Sequence, residues 1–167
     1  MINLDKITNP EALRFAHVFL NDRLINREFY LRVPEDKLDF QMTPKSDSIR
    51  KSLIHQIDIT REYIHGITSG KLEFHSLKSY YVTGGDKQTK LDLLKELDKT
   101  ELELITVLED PNIAEKTVSV PWVNKPIPAL TSLWGMDSHE ILHTGWNLAL
   151  MDHLGIERFP ELKAMWG

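Results

Sequence analysis

His139 and His143 stand four residues apart and are the pair in this sequence best able to act together. On a helix, that offset at about 100° per residue brings both imidazoles to one face, a turn apart. Such a pair chelates one ion without straining the backbone, and imidazole suits zinc, nickel, copper and iron alike. Two ligands rarely make a site, so a third must come from elsewhere. His55 is the best candidate, because it lies near an apolar stripe of Ile49, Leu53 and Ile57. A lone imidazole there would lose hydration, and a shared ion would satisfy it. His17, His65, His75 and His153 lack a partner at useful spacing and read as surface or satisfied core residues. His153 is a weaker pocket candidate, since it follows the His139 face.

The run from His139 to His143 also has the form of a zinc-protease signature, two histidines around a general-base glutamate. Its extended form needs glycine and histidine where this chain has Trp146 and Ala149, so a peptidase ranks low. Glu140 lies about 100° around the helix from His139 and flanks an ion instead of facing it. Its catalytic role as a general base competes with ligand support or a solvent contact, which is the preferred assignment. Glu62, seven residues after His55, shares its helix face and could orient a ligand histidine, enter the pocket or form an exposed edge. Trp146 faces much as the histidine pair does and could wall the pocket. With no cysteine in the chain, disulfides, thiolate ligands and a cysteine nucleophile are excluded.

These residues need rigid elements to hold them. The 167 residues fit a single domain covering 1–167, and 41% apolar with 27% charged residues is ordinary for a soluble globular chain. A net charge of −5 with interspersed signs gives no basic stripe, so nucleic acid is not an expected partner. Residues 1 to 10 lack a basic region followed by an apolar run, and no run approaches the roughly 20 residues that span a bilayer. The expectation is a cytoplasmic protein with no membrane partner.

Four segments carry helical periodicity. The first follows Thr8-Asn9-Pro10 and runs to about Leu31, with Leu13, Ala16, Phe19, Leu20, Leu24 and Ile25 inward, and Pro34 ends it. Leu38, Phe40 and Met42 alternate in the linker that follows, which suggests a short extended piece. The second helix starts near Ser46 or Ser48 and ends at Gly70. The third covers roughly residues 88 to 109, with leucines at 91, 94, 97, 104 and 108. An extended crossover over residues 117 to 128 leads to the fourth, roughly residues 129 to 154, stopped by Gly155. The fold class is therefore all-α, an up-down four-helix bundle with long connections.

The surrounding text carries a resemblance. Leu31-Arg32-Val33-Pro34-Glu35-Asp36-Lys37-Leu38-Asp39-Phe40 and Ser48-Ile49-Arg50-Lys51-Ser52-Leu53-Ile54-His55 resemble the first linker and second helix of the DinB/YfiT-like metal-dependent bundle proteins. These are distinct from the DNA polymerase of similar name. The run from Leu133 to Trp146, followed by Leu154-Gly155-Ile156, is similar to that family's second signature. One departure stands out: arginine and glutamine, common in relatives after the second histidine, are replaced in His143-Thr144-Gly145-Trp146. The resemblance implies one divalent ion on His55, His139 and His143, nickel or zinc first, with manganese or iron as alternatives. It also implies frequent homodimers and activities such as thiol-dependent S-transfer, with a low-molecular-weight thiol or another small molecule as substrate. Metal-assisted hydrolysis is the nearby variant. The alternatives are a non-catalytic metal- or ligand-binding stress-response protein, or a bundle with incidental histidines.

Overall fold

The computed structural model describes the backbone of residues 2–166 and the side chains of residues 2–164. Helix α1 spans Pro10–Arg32, α2 Ile49–Ser69, α3 Lys90–Leu108 and α4 Ala129–Leu154, with a short α5 at Pro160–Trp166. Each long helix begins or ends where local chemistry dictates. Asn9 Oδ1 accepts from the Glu11 and Ala12 amides at 3.0 Å, with Pro10 in the first turn, where its missing N–H costs nothing. Ser48 Oγ accepts from the Lys51 amide at 3.2 Å, and Thr89 caps α3 in the same way through Asp92. Gly70 and Gly155 close α2 and α4 in the left-handed region, at φ of +81° and +65°.

The main packing pairs are α1 with α4 and α3, and α2 with α3 and α4. Consecutive α1 and α2 thus face each other across the bundle diagonal, as do α3 and α4, and such partners need long connections. The first connection opens with a 3₁₀ turn, Glu35–Lys37, and residues 38–42, expected to be extended, continue as turn and irregular chain with no strand. Leu38 is fully buried there, and its carbonyl accepts from the Arg50 amide at 2.7 Å, which ties the linker to the start of α2. The crossover before α4 holds two short antiparallel strands, β1 (Thr117–Val118) and β2 (Ile127–Pro128). Two residues assigned inward face water instead, Leu24 at 48% exposure and Leu91 at 57%.

The apolar core falls into two clusters. One gathers Phe15, Phe19, Tyr63, Leu104 and Leu133, and the other Phe29, Leu53, Ile57, Leu97 and Leu150. Between them every long helix contributes buried polar residues: Arg23 and Asn26, Gln56 and Thr60, Thr100 and Glu101, Glu140, Thr144 and Asn147. The bundle therefore has a polar waist. His55, His139 and His143 lie at that level of α2 and α4.

Candidate metal centre

The three histidines expected from spacing come together. Each offers one ring nitrogen, and these atoms all lie within 4.8 Å of one another. His55 Nε2 is 3.0 Å from His139 Nε2. The ring centroids of His139 and His143 are 4.5 Å apart, those of His55 and His139 5.0 Å, and those of His55 and His143 5.5 Å. The helical offset of four residues accounts for the first pairing. The packing of α2 on α4 accounts for the other two.

Burial shapes the electrostatics. Desolvation, with His55 and Arg23 adding to it, lowers His139 from 6.5 to about 4. Desolvation with His139, His55 and Arg23 lowers His143 to about 3, and desolvation also lowers His55. At neutral pH all three rings are therefore uncharged and keep a lone pair for a metal.

These residues fit one ion. Two nitrogens bound to the same metal at about 2.1 Å sit roughly 3.0–3.4 Å apart for bond angles from right-angled to tetrahedral. The 3.0 Å between His55 and His139 falls in that range. His143 Nδ1 lies 3.2 Å from Ser52 Oγ, which is itself 3.1 Å from the Tyr30 hydroxyl. Donation from Nδ1–H to Ser52 leaves Nε2 with the lone pair and fixes the ring, as outer hydrogen bonds do for metal-bound imidazoles. Sequence patterning did not single out Ser52 or Tyr30. The signal was there, since Ser52 is three residues before His55 and so shares its helix face.

An open cavity of about 390 Å³ lies over the cluster, lined by Ser46, Asp47, Ser52, His55, His139, Leu142, His143 and Trp146. Trp146 thus stands in its wall. Glu140 does not face it. Its carboxylate is buried, accepting from Arg23 Nη2 at 2.7 Å and from Asn26 Nδ2 at 3.0 Å. Arg23 Nη2 also donates to Thr60 Oγ1 at 2.8 Å. Burial pushes the Glu140 carboxyl up, and Arg23 and Asn26 pull it back. The carboxylate therefore makes no solvent contact and is absent from the cavity lining: both oxygens bond to side chains of α1.

Glu62 is buried at 5% exposure and makes no hydrogen bond to the ligand histidines among the described residues. It accepts from the His75 amide at 2.5 Å and lines a neighbouring cavity that also reaches His55. His153 lies away from the cluster, stacked on Phe40 with ring centroids 5.3 Å apart.

No protein-family model matches the sequence, and no curated protein matches it. Among solved structures the chain is similar to a DinB-like protein, YjoA, from Bacillus subtilis. The TM-score is 0.68 at 16% identity, over 88% of this chain and 96% of that one. At this identity the likeness shows a shared fold, a DinB-like helical bundle.

Proposed function

We propose, from the premise of that DinB-like fold, that His55, His139 and His143 hold one divalent metal ion, nickel or zinc, in a metal-dependent enzyme acting on a small molecule. The observation that carries this reading is the set of three neutral imidazole nitrogens within 4.8 Å beneath an open cavity. Three protein ligands leave coordination positions open, where a bound ion polarises water, an anion or a thiol. The rest falls to the chain itself. Ser52 orients His143, Leu142 and Trp146 give the cavity apolar walls, and the exposed Asp47, the carboxylate in the cavity lining, takes a proton from an entering group.

Thiol-dependent S-transfer is the first reaction class on this reading, with metal-assisted hydrolysis second. The chain has no cysteine, so a thiol enters as substrate or cosubstrate. A binding protein without turnover is the second reading, favoured by one observation: Glu140, the carboxylate next to the ligands, is turned into the core. Metal-loaded protein assayed with glutathione and an electrophile, and separately with an activated ester, tests these. Turnover lost in His55→Ala supports the enzyme. Metal uptake with no turnover above that variant leaves the binding reading.

Assembly as a homodimer and a cytoplasmic location are further proposals, resting on the resemblance and on composition. Sedimentation of the purified chain tests the first. Among the described residues no helix is long and apolar enough to cross a membrane.

A further inference from the structure

A second cavity, which shares Asp47 and His55 with the first, is not explained by metal binding. It measures about 480 Å³, within the usual range for a small-molecule site. Its floor is α2, through His55, Asp58, Ile59 and Glu62, and its far wall is the segment around residues 75 to 82. That segment is strapped to α2. Asp58 accepts from the Ser79 hydroxyl at 2.5 Å and the Tyr80 amide at 2.9 Å, and Glu62 Oε1 accepts from the His75 amide at 2.5 Å. His75 is held at φ +62°, the one non-glycine residue with positive φ among those described. The wall is therefore built, and held against a backbone preference.

Four charged groups of this cavity, Asp47, Lys51, Glu62 and Lys78, make no ion pair among the described residues. Glu62 Oε2 is buried without a hydrogen-bond partner, in a residue only 5% exposed. A buried carboxylate oxygen left unpaired is costly, and a cationic donor relieves the cost more than a neutral one. At the mouth, Lys51 and Lys78 have no carboxylate partner among the described residues, and Lys51 Nζ lies 5.5 Å from the centre of the Tyr81 ring. Asp58 is occupied by the strap, and Arg61 pairs with Glu96. Glu62 on the floor, and at the rim two lysines against the one exposed carboxylate of Asp47, call for a ligand with one charge of each sign.

We propose that this cavity binds a small zwitterion of amino-acid type, its ammonium group on Glu62 and its carboxylate toward Lys51 and Lys78. Because His55 lines both cavities, the bound molecule lies against a residue of the metal centre. The zwitterion is thus the substrate class of the proposed enzyme, and this deepens that reading and rests on it. The cavity itself needs no ion to bind.

The experiment is an amide-resolved NMR titration of metal-free protein with ω-amino carboxylates of increasing length. An alkylamine and an alkyl carboxylate are run alongside. The expected result is saturable binding of at least one amino carboxylate at millimolar or tighter affinity, with shifts at residues 75 to 82 and at His55. The amine and the acid alone bind at least tenfold more weakly. Glu62→Gln, which keeps an acceptor for the His75 amide, weakens binding at least tenfold. Lys78→Ala, on the exposed rim and no threat to folding, weakens it several-fold. No amino carboxylate shifting these residues overturns the proposal, and so does binding unchanged in both variants. The same titration on the His139→Ala, His143→Ala variant separates the two readings. Metal uptake lost there with zwitterion binding retained confirms the cavity as independent. Absence of metal uptake in the unmodified chain defeats only the metal reading.

Discussion

At the scale of single residues, the account depends on what stands behind each ligand. Ser52 and Tyr30 hold His143 through its Nδ1. Ser52→Ala is expected to weaken nickel or zinc affinity by about 10–100-fold, the usual effect of losing an outer hydrogen bond to a metal ligand, with the helical circular dichroism unchanged. Calorimetric titration with the ion checks this. Glu140→Gln should behave in the opposite way. It leaves Arg23 buried without its charge partner, so stability should fall by about 3–5 kcal/mol in urea unfolding while metal stoichiometry stays the same. The three ligands were legible from residue type and spacing. Glu140 was not, because its angular position on α4 says only that it avoids the ion. The arginine it meets comes from α1, 117 residues away, and no local pattern announces a charge inside an apolar stripe.

At the scale of elements, caps and stops marked the helices well. Asn9 with Pro10, Ser48, Gly70 and Gly155 each define an end by local backbone chemistry, which sequence carries directly. The segment between α2 and α3 carries no periodicity to read, because it is fixed by long-range bonds from Asp58 and Glu62 and not by its own propensity. The piece around Leu38 was misjudged for a related reason: alternation of apolar residues also arises where a 3₁₀ turn plugs one of them into the core. Gly66 shows how tightly the start of the loop sits on α2. A Cβ there would lie 3.0 Å from both Cα and Cβ of Leu72. Gly66→Ala is therefore expected to cost about 1–3 kcal/mol despite alanine's better helix propensity, as measured by thermal unfolding.

At the scale of the whole molecule, a polar waist interrupts the core and makes stability depend on pH in two directions. Folding holds His139 at about 4 and His143 at about 3, against 6.5 when free. The unfolded chain takes up those protons first, so the metal-free protein should lose stability as pH falls from about 6.5 toward 4. Glu101 acts oppositely. Burial, opposed by Arg23, raises it from 4.5 to about 7. Its favourable contribution is complete below 4.5 and is lost as pH rises through 7. Glu101→Gln should thus gain about 1–3 kcal/mol relative to the unmodified chain between pH 5 and 8. Melting temperatures from about pH 4 to about pH 8 check both slopes.

The most direct test of the central claim is metal content after loading with excess nickel or zinc and desalting. Elemental analysis would be run beside the same treatment of His55→Ala and the His139→Ala, His143→Ala variant, each first shown to be folded. The account predicts close to one ion per chain in the unmodified protein, a raised melting temperature with the ion bound, and loss of both in the variants. Retention of the ion by the folded variants would contradict it, as would an unmodified chain that takes up none.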